Sequence, residues 1–323
     1  MAYYVFDNSN SDSAGRIDYT GIRLPYTLIA QELSSMHITI ICIPYQVDVT
    51  HWGCANGPQA FLDHGLIPLL EAKGHTVSQP VWIELPKAQR TRDSVTNLGR
   101  IAQRTAAAVR EALQKDDSFV LVLEGDCTHA VGPIGGLAQA KGNPGVIWFD
   151  AHGDLNTMET TTSGFLGGMP YAVALGWDLD DWRLAAGLEQ PVRPEAAALI
   201  GTSDLDAAEV EALQRHPILH IDAKEMMHPS IGECIQSALQ PRAGESNAWY
   251  LHIDLDVGGP EESPGGFTPA PYWPPRERIL EAARSTVQTL PVKVASLAVY
   301  NPSADTDGRG VRFGLDMAMA IVG

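Results

Sequence analysis

Short, largely apolar runs recur along the chain, each followed by a stretch with helical spacing. This alternation is the feature that most limits the fold. The runs are His37–Ile43, Phe119–Leu123, Val146–Phe149, Ala197–Gly201, Ile218–Ile221, Trp249–Ile253 and Val294–Val299. Between them, Gly57–Ala72, Val95–Leu113, a segment ending at Gly136–Ala140, Ala207–Gln214, Ile231–Leu239 and Arg276–Leu290 read as helices. Strands that are apolar throughout, and not alternately polar, belong to a parallel sheet covered on both faces. No linker, repeat or low-complexity segment interrupts the pattern, so the spacing predicts one α/β domain. Residues 1–36 read as an N-terminal arm and 37–323 as that domain. Pro-rich Gly258–Pro275 is too short for a linker and reads as a loop at the carboxyl end of a strand, where α/β proteins place their chemistry.

Charge and composition narrow the function. Asp and Glu number 39 against 22 Lys and Arg, a net charge of −17. Such a surface repels a phosphate backbone, so no nucleic-acid partner is expected. No stretch of ~18 uncharged apolar residues is present, so no membrane span is expected. The N-terminal residues lack a basic start and apolar run, so no secretory signal is read. Cys42, Cys54, Cys127 and Cys234 are scattered, which fits a reduced, cytoplasmic protein.

Three strands end in residues of metal-ligand type. They are Leu121–His129 (LVLEGDCTH), Val146–Asp154 (VIWFDAHGD) and Leu251–Asp256 (LHIDLD). Side chains in a strand alternate faces, so Asp150, His152 and Asp154 share a side, as do Asp254 and Asp256. Four carboxylates and an imidazole crowded together would repel and raise each other's pKa unless cations neutralised them. Two ions sharing bridging carboxylates suit this number of ligands, and oxygen ligands with an imidazole suit manganese. The bland alternative is a set of helix caps and strand-end turns, where Asp is common.

The sequence resembles the ureohydrolase family, which contains arginase and agmatinase. The resemblance is carried by VIWFDAHGDLN (146–156), TTTSG (160–164), HIDLD (252–256), PGGFTP (264–269) and YNP (300–302), over roughly residues 37 to 323. It implies a single three-layer α/β/α domain with a parallel sheet of about eight strands. It also implies a homo-oligomer, trimer or hexamer, acting on a small-molecule substrate. By this resemblance Asp150, His152, Asp154, Asp254 and Asp256 ligate two divalent ions, with manganese expected. The family's remaining ligand, a His, is replaced by Cys127. A thiolate is softer than imidazole and tilts preference toward nickel, cobalt, iron or zinc. Cys127 is read as a ligand; a buried non-ligating thiol, or His129 as a substitute, are the alternatives.

The implied reaction is hydrolysis of a non-peptide C–N bond by a metal-bridging hydroxide, with Asp154 holding that hydroxide and relaying a proton. Asn156, Thr161 and Ser163 match positions that hold the amino-acid head of a substrate, and Asp206 matches one that takes its α-amine. Two departures matter. Gly167 stands where the family has a proton-shuttling His. Val299 stands where it has a Glu that grips guanidinium, a pairing worth roughly 2–5 kcal/mol. Phe165 and Val299 therefore favour a bulkier or less charged group, such as an N-substituted or N-hydroxylated guanidine or a formimino group, with Tyr300 or Asp305 as nearby compensators. A catalytically silent subunit with a structural or regulatory role is the alternative. His51, Trp52, Tyr272 and Trp273 are expected near the entrance. Trp177, Trp182, His216, His220 and His228 read as packing residues.

Overall fold

Each of the seven apolar runs forms a strand. The computed structural model describes residues 35–115, 117–265 and 270–323. Its strands are β1 (His37–Ile43), β2 (Thr76–Val77), β3 (Val81–Trp82), β4 (Ser118–Glu124), β5 (Gly145–Phe149), β6 (Ala197–Thr202), β7 (Leu219–Asp222), β8 (Trp249–Asp254) and β9 (Val292–Ala298). They form one sheet in the order β2-β1-β4-β9-β8-β5-β6-β7, with β3 also pairing with β1. Every pairing is parallel. The two short strands β2 and β3 at the β1 edge are absent from the sequence reading, because two residues carry no periodicity. The N-terminal arm proposed for residues 1–36 lies outside the described residues except for Ser35 and Met36.

Alternation along the strands sorts their side chains into two cores. Ile38, Ile40, Leu121, Leu123, Ile147, Phe149, Leu251 and Ile253 join the helices Ile231–Leu239, Arg276–Thr289 and Arg309–Val322. Ile41, Val120, Val122, Val146, Trp148, Leu199 and Val294 join Ser94–Ala112 and Val131–Lys141 on the other face. Each strand is thus buried on both sides, which is why its sequence is apolar throughout. The domain is therefore a single three-layer α/β/α unit. Asp93 caps Ser94–Ala112 by accepting the Thr96 amide at 2.9 Å. The predicted helix Gly57–Ala72 is broken into Gly57–Asp63 and Leu66–Ala72, because Gly65 takes φ +87°. Among the described residues no helix is long and apolar enough to cross a membrane.

The topology creates the site. The chain passes from β4 to β5, three places away, runs on outward to β7, and then turns back so that β8 and β9 fill the two-strand gap. Such a change of direction opens a crevice at the carboxyl ends of the strands. Gly125, just past β4, ties this region together: its amide bonds to Ile43 O at 3.2 Å and its carbonyl accepts the Val299 amide at 3.2 Å. A Cβ there would lie 1.9 Å from the Tyr45 carbonyl oxygen, so only glycine fits. Gly125→Ala is expected to lower the unfolding free energy by about 1–3 kcal/mol. Urea-denaturation midpoints check this; an unchanged midpoint would mean that the loops can part freely.

Candidate metal centre

Local hydrogen bonds fix the side chains at the strand ends. Asp126 accepts the Val47 amide at 2.6 Å and the Thr128 amide at 3.2 Å, so the turn Cys127–Ala130 starts where β4 ends. After β5, Asp150 accepts the His152 amide at 2.7 Å and the Trp148 indole N–H at 3.1 Å. Trp148 itself lies stacked between Tyr171 and His252. Asp154 adopts φ +51°, and its carbonyl accepts the amides of Tyr171 and Ala172 at 3.1 Å. Aspartate is among the few side chains that tolerate this left-handed conformation. After β8, Asp254 accepts the Asp256 amide at 2.8 Å and caps the turn Leu255–Gly258.

These loops bring two ligand groups together. A carboxylate oxygen of Asp150, a ring nitrogen of His152 and a carboxylate oxygen of Asp256 lie within 4.8 Å of one another. So do Sγ of Cys127, a carboxylate oxygen of Asp150 and a ring nitrogen of His252. Asp150 belongs to both. Asp254 adjoins the second group, accepting the Cys127 thiol at 2.9 Å. His152 Nδ1 sits 3.3 Å from Asp150 and 3.2 Å from Asp256. Burial disfavours a charged imidazole there, but the two carboxylates outweigh burial and raise the His152 pKa. Burial, and then neighbouring carboxylate charge, raise Asp150, Asp154 and Asp254 above the usual carboxylate range. Burial and then Asp254 push the Cys127 thiol up.

The donor set fits divalent cations. Asp154 Oδ2, His152 Nε2 and His252 Nε2 are buried and have no hydrogen-bond partner among the described residues. Buried polar atoms are seldom left so; His152 and His252 each belong to one of the ligand groups, and Asp154 lines the cavity above them. His129, the alternative to Cys127, does not serve: its Nε2 contacts the Tyr45 carbonyl at 3.0 Å, deep in the core.

Above these groups opens a cavity of about 290 Å³, the right scale for an amino-acid-sized molecule. Asn156, Thr161, Ser163 and Asp206 all line it, together with Cys127, Asp154, Asp254 and Asp256. Asn156 donates to Asp206 at 2.9 Å. Glu209, which the sequence reading passed over, lines it too. Its carboxylate accepts the amides of Leu155 at 3.0 Å and Asp206 at 2.9 Å, and burial raises its pKa. The spacing of Asp206 and Glu209 is that of a capping box, and the helix Ala207–Arg215 carries one.

The departures also face this space. Phe165, Gly167 and Val299 line the cavity. A Cβ on Gly167 would fall 2.2 Å from Phe165 Cε1, so the Phe165 ring fills the room that a side chain at 167 would need. Val299 is buried and held at φ +61°, a costly conformation for a β-branched residue. Tyr300 and Asp305 do not compensate: they bond to each other at 2.9 Å, and neither lines the cavity. His51, Trp52, Tyr272 and Trp273 do not line it either. Trp273 packs on Gly259, and Lys224 lies over the Tyr272 ring. PGGFTP lies partly outside the described residues. Trp182 is fully buried, Trp177 packs on His216, and His220 contacts Thr202 at 2.6 Å.

Manganese added at a hundred-fold excess over Kd is expected to stabilise the metal-free protein by about 2.7 kcal/mol per site. Because Asp150 is common to both ligand groups, Asp150→Asn should abolish most of this gain, whereas Asp256→Asn should spare one site. Thermal denaturation with elemental analysis checks both; equal metal content in the two variants would contradict the sharing.

Comparison with known proteins agrees with this architecture. The sequence profile of the Arginase family matches residues 36–323. The arginase of Bacillus caldovelox is 32% identical over 239 residues, covering 72% of this chain and 80% of that protein. Its crystal structure superposes with a TM-score of 0.81 at 26% identity, covering 89% of this chain and 98% of that one. A formimidoylglutamase from Bacillus subtilis shares the fold at a TM-score of 0.71 and 18% identity, over 89% of this chain and 86% of that one. The family profile spans the whole sheet and every strand-end loop that builds the carboxylate rim, and the chain belongs to the arginase family.

Proposed function

We propose that the chain hydrolyses a non-peptide C–N bond in a linear amidine or modified guanidine carried by an amino acid. An N-substituted or N-hydroxylated guanidine, or a formimino group, fits best. The observation that carries this reading is the position of Asp150, common to two ligand groups at the base of an amino-acid-sized cavity. Cys127, Asp150, His152, Asp154, Asp254 and Asp256 would hold two divalent ions. Manganese is the leading metal, and the thiol of Cys127 gives nickel, cobalt, iron and zinc a claim. Such a pair of cations lowers the pKa of water and supplies a nucleophile near neutral pH.

The chain's own residues do the rest. Asp154 offers a buried carboxylate oxygen with no hydrogen-bond partner among the described residues, suited to take a proton from the attacking water and deliver it to the departing amine. Asn156, Thr161 and Ser163 present neutral polar groups for a substrate carboxylate, and Asp206 presents charge for an α-amine. Phe165 and Val299 give the cavity apolar surface without a carboxylate to grip a bare guanidinium. That selects a bulkier or less charged reacting end over plain arginine or agmatine. The proposed assembly is a homo-oligomer in the cytoplasm, in keeping with four free cysteines.

The test is a panel of guanidines and amidines offered to protein loaded with manganese, then nickel, cobalt and zinc. Release of urea, ammonia or amine from a modified substrate is the expected result. No release from any member with any metal sinks the proposal and leaves a silent subunit, provided the protein holds its cations. Within the same panel, Val299→Glu is expected to raise kcat/KM for agmatine or arginine by roughly ten-fold or more over wild type, about 1.4 kcal/mol of added transition-state binding. An unchanged ratio would show that position 299 does not set the preference.

A further inference from the structure

The helix-covered face of the sheet that carries Trp148 holds a buried polar patch beneath the carboxylates. It consists of Glu124 from the end of β4, Tyr250 and His252 from β8, and Ser296 from β9. All four side chains are buried, Glu124 at 2% exposure and His252 and Ser296 at zero. On one side of the imidazole the contacts are dense. His252 Nδ1 lies 2.9 Å from Ser296 Oγ, 3.1 Å from Glu124 Oε1 and 3.2 Å from the Tyr250 hydroxyl. Tyr250 and Ser296 also bond to each other at 2.6 Å. On the other side, Nε2 has no hydrogen-bond partner among the described residues. A ring nitrogen of the same residue lies within 4.8 Å of both Cys127 Sγ and an Asp150 oxygen.

A fully buried ring nitrogen without a partner is a rare expense in a native core. The dense contacts at Nδ1 resemble the support that metal-bound histidines receive, in which one nitrogen donates to a carboxylate or hydroxyl and thereby leaves the other as a free lone pair. Cys127 and Asp150 already form a soft and a hard donor on either side. With them, one imidazole completes a mixed set that Cys127 and Asp150 alone do not.

We propose that His252 is an inner ligand of the cation shared by Cys127 and Asp150, binding through Nε2, with Glu124 and Ser296 as positioning residues at Nδ1. This inference rests on the metal centre proposed above. It deepens that reading by giving the second cation an imidazole from β8, so that each cation has one: His152 for the first and His252 for the second.

The test uses the cobalt-substituted protein. Proton spectra of a cobalt centre show the N–H of each coordinated imidazole as a strongly shifted, solvent-exchangeable signal. Wild type is expected to show two such signals, from His152 and His252, each assigned by selective labelling of histidine. His252→Gln should lose one of them and one equivalent of metal, while Cys127→Ser should keep both signals and lose the near-ultraviolet thiolate-to-cobalt band. Glu124→Gln should weaken cobalt binding at that centre alone by roughly 10–100-fold. Circular dichroism of the metal-free variants establishes that they fold. Should His252→Gln fail to fold, the number of imidazole signals in wild type still decides. A wild type holding two cobalt ions with the His152 signal alone overturns the role of His252 and leaves the metal centre standing. A wild type that retains no cobalt overturns the metal centre itself.

Discussion

Mutual repulsion among four carboxylates at the ends of two adjacent central strands, β5 and β8, is the constraint around which the rest of the molecule is arranged. Asp150, Asp154, Asp254 and Asp256 are all at least nine-tenths buried, and among the described residues no Lys or Arg lines the cavity above them. Burial keeps solvent from screening the charge, and the His152 imidazole between Asp150 and Asp256 answers only part of it. Divalent cations, as proposed above, would resolve the conflict, and the strand-end turns hold the side chains in place for them. Asp126, Asp150 and Asp254 each accept a backbone amide two residues further on, so that turn and ligand position are set by the same hydrogen bond.

Much of this was legible in the sequence because the physics is local. An apolar run buried on both faces announces a parallel strand, and D-A-H-G-D after such a run marks its carboxyl end as a candidate ligand cluster; the simple alternation expected there does not hold, because the chain leaves the strand after Phe149 and Asp154 takes φ +51°. The C-terminal helix Arg309–Val322 was not legible, and Gly310 and Gly314 explain why. A Cβ on Gly314 would fall 2.3 Å from Phe61, so the glycine serves close packing while lowering the helical signal that spacing could reveal. His252 was visible in H-I-D-L-D, two residues before Asp254 and hence on its face. Its surroundings were not, because Glu124 and Ser296 reach it from strands that are remote in sequence and become neighbours only through the sheet order.

The positions where the chain departs from its family act as a group. Phe165 occupies the volume that a side chain at 167 would require, so the two cannot be considered separately. Cys127 likewise has to be read with Asp254, which accepts its thiol, and with Asp150 and His252, which flank it. Tyr300 and Asp305 seemed able to stand in for a missing carboxylate, yet their mutual hydrogen bond and the Val311 amide at 2.9 Å turn Asp305 toward the start of the last helix. Proximity in sequence was a poor guide wherever a side chain had a better partner behind the wall.

Val299 joins β9 to this wall with its backbone in a left-handed conformation that a branched residue adopts at a cost of roughly 1–3 kcal/mol. Glycine at this position would relax the chain and, in the same stroke, hollow out the apolar flank of the chamber. On the proposed function, robustness and selectivity pull in opposite directions on this single side chain, and a variant toughened here would accept a wider range of molecules.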